Sequence, residues 1–271
     1  MFLPVFLGDA ARPPLISLQA GGRGSLQGAE ATHAVGSLRL GVGDTLDLVD
    51  GKGLRLRCEI LATAKNYLEF EVLEVMHLSL PETQFGLIQA LSKGGRDEQA
   101  VESAVELGVS RVRPWAAQRS IVQWKEQKLQ RGSKKWLSLL QAAAKQSRRA
   151  NWPLLDPLAD SRQLREIIAA GSSKEKFLLL DPDSSLPLSE AWEQVNQAKM
   201  IHVIVGPEGG VSPEETADFT AAGAIGARPG ASPGAIAARL GPTVLRSSSA
   251  GPAALSALGL CSGLWGRKES L

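Results

Sequence analysis

The hydrophobic period of this chain changes part-way along it, and that change limits the folds open to it. Thr45–Val49, residues 54–61 and residues 67–75 alternate polar and apolar side chains. That is the period of antiparallel strands with one buried face. Asp50-Gly51 separates the first two runs and supplies turn chemistry. Closing such strands into a small barrel would remove exposed edges, and residues 30–40 have room for a short helix. Residues 77–83, with Pro81, read as a linker. From Phe85 the pattern becomes strand, helix, strand: strands at 85–91, 109–114 and 177–180, and helices at 97–107, 134–149, 164–170 and 188–199. Strands alternating with helices predict a mainly parallel sheet covered on both faces.

The last third of the chain carries three further segments: 177–181, His202-Val-Ile-Val-Gly206-Pro-Glu-Gly-Gly210, and Leu240-Gly-Pro-Thr-Val-Leu-Arg246. The first two are apolar strand-like runs, the third a shorter one, and each adjoins a turn rich in Gly, Pro or Asp. Parallel sheets bind ligands at such strand ends. Ser212-Pro-Glu-Glu215 has the form of a capping box with proline at the first helical position. The chain there should run strand, glycine turn, helix N-terminus. Ser249 is a candidate cap for a helix starting near 250–252. Residues 223–241, rich in Gly, Ala and Pro, read as a loop.

Several classes are disfavoured. No apolar stretch is long enough for a membrane span, and the apolar N-terminus lacks the basic region of a signal peptide. Cys58 and Cys261 lie far apart in sequence, which argues against a disulfide framework and fits a reducing cytoplasm. His33, His77 and His202 are isolated, so no metal site is expected. There is no P-loop, no glycine fingerprint opening a first βαβ unit, and no nucleophile elbow.

Charge is distributed unevenly. Residues 111–149 hold eleven Lys or Arg against the single acid Glu126, a net of +10, whereas the whole chain carries +2, which leaves −8 for the remainder. Trp115, Trp124, Trp136 and Trp152 lie in or beside this stretch. Cations pair with phosphates and aromatic faces stack on unpaired bases. A solvated basic helix over core tryptophans explains the same pattern, and charge alone leaves both readings open.

Taken in order, several stretches resemble one family: 33–39 with Val42-Gly-Asp44, Asp50-Gly51, Gln89-Ala-Leu-Ser-Lys-Gly94, Ala104-Val-Glu-Leu-Gly-Val-Ser110, Arg119-Ser120, Gln146-Ser147 with Arg149, Gly206-Pro-Glu-Gly-Gly210, and Leu240-Gly-Pro-Thr-Val-Leu-Arg246. They are similar to the SPOUT superfamily of RNA methyltransferases, and within it to the bacterial family (RsmE type) that methylates N3 of a uridine in 16S ribosomal RNA. The resemblance implies a PUA-like β-barrel over 1–76 and an α/β SPOUT domain over 84–271. That domain would have a mainly parallel sheet and a C-terminal trefoil knot. It also implies S-adenosylmethionine as donor, 16S rRNA or the small ribosomal subunit as partner, and a homodimer.

Carried onto this sequence, the donor would rest on Leu179, Leu180 and Asp181, on Gly206, Pro207, Glu208, Gly209 and Gly210, and on Leu240, Gly241, Val244 and Leu245. Arg246 would stabilise the uracil anion, and His33, Arg39, Lys93, Arg119, Gln146 and Arg149 would contact RNA. The resemblance leaves no identified general base. The family motif continues after Leu-Arg with Thr-Glu-Thr-Ala; here Ser247-Ser-Ser-Ala250 follows, with Ser248 in place of the acid. A methyltransferase acting on a ribose hydroxyl or another base, and a non-catalytic RNA-binding or assembly factor on the same fold, are the competing readings.

Overall fold

The computed structural model describes residues 3–222 and 234–266. The chain forms two compact units. Among the described residues, one comprises residues 3–80 together with Ala144–Trp152, and the other Pro81–Ala143 together with residues 153–222 and 234–266.

The first unit is a six-stranded sheet of β1 (Val5–Leu7), β2 (Ala11–Arg12), β3 (Arg23–Gln27), β4 (Thr45–Val49), β5 (Leu54–Ala64) and β6 (Tyr67–His77), in the order β1-β4-β5-β6-β3-β2. All neighbours are antiparallel except β1 and β4. The three alternating runs of the sequence are β4, β5 and β6. Their inward residues (Leu46, Leu48, Leu56, Cys58, Ile60, Leu68, Phe70 and Val72) form one buried cluster with Phe6 and Leu26. Register shifts at Arg57/Cys58 and Ile60/Ala62 mark bulges, which bend and twist a strand pair. Among the described residues the outer strands β1 and β2 are not paired with each other, so the expected small PUA-like barrel takes the form of a half-barrel. The short helix is α1 (Ala29–Thr32), continued by a π-turn over His33–Ser37.

Residues 144–152 depart from the expected boundaries of 1–76 and 84–271. Gly53 N donates to Ala150 O (3.2 Å), Trp152 N to Gly51 O (2.9 Å) and Asn151 Nδ2 to Leu78 O (2.8 Å). Ala150 is buried with Val5 and Val49. A segment remote in sequence thus completes the first unit, a pairing that no local periodicity signals.

The second unit contains β7 (Gln84–Ala90), α2 (Arg96–Glu106), β8 (Arg111–Ala116), most of α3 (Gln127–Gln146), β9 (Leu154–Leu155), β10 (Ala159–Asp160), α4 (Ser161–Ala170), β11 (Glu175–Leu180), α5 (Leu188–Val195), β12 (Met200–Val205), α6 (Pro213–Ala221), β13 (Ala235–Ala238) and α7 (Ser247–Cys261). Its sheet runs β10-β8-β7-β12-β11-β13, with β9 also on β8, and every pair is parallel. Phe177–Leu180 within β11 and the last five residues of β12 are buried without alternation, as a sheet covered on both faces requires. On one face Leu164, Ile168 and Phe219 of α4 and α6 pack on Ile88, Phe177, Leu179 and Ile204. On the other lie α2 and α7. A side chain at Gly251 of α7 would put its Cβ 2.9 Å from Leu87 Cδ1 and 3.3 Å from Val205 Cγ2, so glycine lets this helix sit close against the sheet.

Three expectations need correction. Residues 235–238, read as loop, are strand β13, with Phe177 opposite Ala235 and Leu180 opposite Ala238. Ala-Ile-Ala-Ala has neither alternation nor strong β propensity, and only its distant partner fixes it as a strand. The rest of that loop, 223–233, lies outside the described residues. Residues 240–246 form no strand. And α7 begins at Ser247, with Arg246 rather than Ser249 as the residue preceding it.

Candidate active site

The C-terminal ends of β11, β12 and β13 open into a cavity of about 410 Å³. Its walls are Leu180-Asp181-Pro182, the turn Val205–Val211 except Gly209, the stretch from Leu240 to Ser247 except Pro242, and Ala238, Ala250 and Arg96. Of the residues expected to hold the donor, ten line it: Leu180, Asp181, Gly206, Pro207, Glu208, Gly210, Leu240, Gly241, Val244 and Leu245. Leu179 and Gly209 do not. Leu179 points into the core, and the Gly209 carbonyl accepts a hydrogen bond from Arg119 Nη1 (3.0 Å) on the far side of the turn.

The glycine turn is tightly determined. Gly206 leaves no space for a side chain, since a Cβ there would lie 2.7 Å from Val211 Cγ2, and Gly210 adopts φ +72°. Gly210 N donates to Pro207 O (2.9 Å). The expected capping box closes: Ser212 Oγ accepts from Glu215 N (3.1 Å) and Glu215 Oε2 from Ser212 N (3.0 Å). Glu215 is fully buried, and its Oε1 also accepts from Gln118 N (2.8 Å) and Ser161 Oγ (2.5 Å). One carboxylate therefore joins the start of α6, the segment after β8 and the start of α4. Three donors satisfy a charge that would be costly to bury alone.

Glu208 Oε1 accepts from Lys93 N (3.1 Å) and from Arg96 Nη1 (3.0 Å). Burial alone would raise its pKa; backbone N–H donors, including that of Lys93, and the Arg96 guanidinium outweigh burial and hold the carboxyl below its usual value. Asp181 Oδ1 accepts from Asp183 N (3.0 Å) and its own N–H donates to Ala238 O (3.0 Å), which fixes the carboxylate at the end of β11. Ser92 Oγ donates to Ser247 Oγ (3.4 Å), joining the end of β7 to the start of α7.

The opposite rim is barely held. Val244 is 78% exposed and Leu245 39%. Arg246 is exposed, and among the described residues its guanidinium makes no hydrogen bond or ion pair. Its carbonyl accepts from Ser249 N and Ala250 N at the helix start. Ser248, where the resembling family carries an acid, is buried.

The expected RNA contacts divide between the units. In the second, Lys93 is exposed beside Glu208, and Arg119 is exposed but spends Nη1 on the glycine turn. In the first, Arg39 is exposed at φ +56°, Gln146 is exposed, and the exposed His33 has its ring edge-on to Phe6 at 5.9 Å. Arg149 is not at the surface: it is buried, and burial lowers its pKa to about 10.

The tryptophans are largely core. Trp115 and Trp136 are fully buried, Trp124 packs edge-on to Trp136 at 5.4 Å, and Trp115 Nε1 donates to Ser161 Oγ (3.2 Å). Part of the +10 segment is neutralised locally, with Arg111 and Arg113 on Asp156, Lys135 on Glu98 and Lys145 on Glu30. Lys125, Lys128 and Arg131 remain exposed. Of the two readings of this stretch, the basic helix over core tryptophans describes the aromatic part, and a cationic surface remains for the rest.

Sequence reasoning missed Arg96 and Ser247 in the cavity wall. A signal for Arg96 was present: it follows Gly94 and Gly95, both with positive φ (+67° and +75°), which turn the chain back at the start of α2.

Comparison with known proteins agrees with this geometry. The family model described as "RNA methyltransferase domain" matches residues 79–259, and the "RNA methyltransferase PUA domain" matches residues 26–73. A ribosomal RNA small subunit methyltransferase E of Mycobacterium bovis is 32% identical over 249 residues, covering 90% of this chain and 89% of the relative. The enzyme of that name from Bacillus subtilis is 24% identical over 86% of this chain and 88% of the relative. The crystal structure of a Neisseria gonorrhoeae ribosomal RNA small subunit methyltransferase E bound to S-adenosyl methionine superposes with a TM-score of 0.78 at 24% identity, over 96% of this chain and 98% of that one. The PUA-like half-barrel, the parallel sheet with its cavity at the strand ends, and these matches over nearly the whole chain make it a member of the RNA methyltransferase family that includes the ribosomal RNA small subunit methyltransferases E.

Proposed function

We propose that this protein transfers a methyl group from S-adenosylmethionine to N3 of a uridine in 16S ribosomal RNA. The observation that carries the reading is the cavity at the ends of β11, β12 and β13, with a fixed glycine turn on one wall and, on the other, the exposed Arg246, whose guanidinium has no partner among the described residues. Its volume of about 410 Å³ lies within the usual range for small-ligand sites. Leu180, Val205, Val211 and Leu240 give it apolar walls, and Asp181 and Glu208 give it two carboxylates, a combination suited to a donor with a hydrophobic base, ribose hydroxyls and a cationic sulfur. Leu180, Asp181, Gly206, Glu208, Gly210 and Leu240 would hold it.

When bound, the donor supplies a methyl group already activated on sulfonium. The residues must then align the acceptor nitrogen and exclude water. Uracil N3 bears a proton and becomes nucleophilic once that proton leaves. Arg246, exposed at the rim, stabilises the resulting negative charge on the uracil carbonyl oxygens, a fixed-charge effect. Glu208 is held ionised by Lys93 N–H and Arg96 and is therefore a poor proton acceptor; its part is to hold the turn. The exposed cations Lys93, Arg39, Lys125, Lys128 and Arg131 bind RNA phosphates.

Two further features of the SPOUT superfamily belong with this function. One is a knotted crossing of the C-terminal chain. The other is a homodimer, supported by the apolar groove of Leu188, Trp192, Leu245, Ala257, Leu258 and Cys261. The working site is the cytoplasm, where ribosomal subunits are made; among the described residues no helix is long and apolar enough to cross a membrane.

The test is incubation of undermethylated small ribosomal subunits with protein and S-adenosylmethionine, followed by nucleoside mass spectrometry. Appearance of 3-methyluridine supports the proposal, and a 2′-O-methyl nucleoside reassigns the acceptor. Ser248 in place of the family acid favours a second reading, a non-catalytic RNA binder. Absence of both methylation and donor binding would establish that reading instead.

A further inference from the structure

Beyond its contact with Glu208, Arg96 is one of two cationic residues that line the cavity among the described residues, the other being Arg246. Local stability does not explain its position. It is the first residue of α2, where the helix dipole disfavours a cation. Gly95 before it provides no side-chain cap, and the favourable acids of that turn, Asp97 and Glu98, come after it. Its partner does not explain it either. The Arg96–Glu208 pair is 3.0 Å long with side chains 44% and 27% exposed, and ion pairs so open to solvent contribute little. Glu208 Oε1 is also held by Lys93 N–H, so the carboxylate keeps a donor if the arginine leaves. A planar guanidinium at a cavity mouth, loosely held by one carboxylate oxygen, is suited to exchange that oxygen for those of a phosphate, which it can bind through two parallel N–H donors.

We propose that Arg96 is a positioning residue for the acceptor strand: on RNA docking it leaves Glu208 and binds a backbone phosphate next to the target nucleotide. This rests on the methyltransferase reading and adds to it a residue that couples the donor turn to the RNA. Glu208 and the phosphate compete for one guanidinium, so the carboxylate restrains Arg96 until RNA arrives.

The experiment compares full-length wild-type protein with Arg96→Ala, Arg96→Lys and Glu208→Gln, each checked for folding by circular dichroism. The readouts are methyl transfer to undermethylated small subunits, direct binding of those subunits at several salt concentrations, and binding of S-adenosylmethionine. Arg96→Ala should raise the KM for subunits by about 10-fold, the size of one charge-assisted contact, with kcat and donor affinity changed by less than about 2-fold. Its log–log salt slope for RNA binding should be shallower by about 0.7 to 0.9, one phosphate contact. Arg96→Lys should recover part of the KM, and Glu208→Gln, which removes the competitor, should lower it. An unchanged KM and salt slope in Arg96→Ala would overturn the proposal. So would weakened donor binding with RNA binding intact, which would make Arg96 a support of the donor turn only. If the wild type yields no methylated nucleoside, the methyltransferase reading fails, while the salt slopes still decide whether Arg96 meets a phosphate.

Discussion

The two walls of the cavity are built on opposite plans. The turn from Gly206 to Val211 is over-determined: Glu215 accepts from three segments, Arg119 donates to the Gly209 carbonyl, and Lys93 and Arg96 hold Glu208. The stretch from Thr243 to Arg246 has exposed side chains, and Arg246 is without a partner among the described residues. The fixed wall suits a ligand of constant shape, because preorganised groups need no ordering on binding. The bare wall suits a surface that is completed only when a macromolecule arrives.

The largest test of this contrast is on the bare wall. Arg246→Ala should lower kcat by about 100- to 1000-fold, the usual effect of removing one charge-stabilising donor, while donor affinity measured by calorimetry moves little. Weakened donor binding with a normal kcat would assign Arg246 to the wrong wall. Next is Glu215→Ala, which leaves Gln118 N–H, Ser212 N–H and Ser161 Oγ–H without their acceptor. Buried unsatisfied donors cost about 1–3 kcal/mol each. Chemical denaturation should show a loss of several kcal/mol, and the folded fraction should bind donor less well; a stability unchanged from wild type would show that the turn is not held as described. Arg119→Ala is milder, because its hydrogen bonds are exposed. A loss of about 1 kcal/mol or less is expected, with a few-fold weaker donor affinity and little effect on kcat. The smallest effect is a pH dependence. The folded pKa of Glu208 lies below the ordinary 4.5, so its ionised form contributes stability above that value, and the contribution is lost as pH falls through the lowered pKa. Denaturation midpoints measured from pH 6 down to about 3 should therefore fall less steeply in Glu208→Gln than in wild type.

What the sequence disclosed follows the range of the interactions involved. The runs that became β4, β5 and β6 were legible because each alternates against its own neighbours. The capping box of Ser212 and Glu215 was legible because both partners lie within one turn. Strand β13 was not, because Ala235–Ala238 takes its conformation from β11, far away in the chain. The tryptophans were ambiguous and Arg149 was placed at the surface in error, because charge and aromaticity mark a surface and a core alike and only packing separates them. Most of the cavity wall was legible through the family resemblance rather than through local pattern. Arg96 escaped because a helix pattern records which face is buried and says nothing about what the first residue meets across a loop.

The return of Ala144–Trp152 to the first unit has an evolutionary consequence. The polypeptide passes from one unit to the other after Leu80, after Ala143 and again after Trp152. A recombination event that replaced the N-terminal half-barrel at a single breakpoint would strand Ala150, Asn151 and Trp152 without Val49, Leu78 and Gly51. Exchange of the half-barrel alone would therefore break these contacts, and a substitution at Val49 or Gly51 is coupled to residues about a hundred positions downstream rather than to its neighbours in sequence.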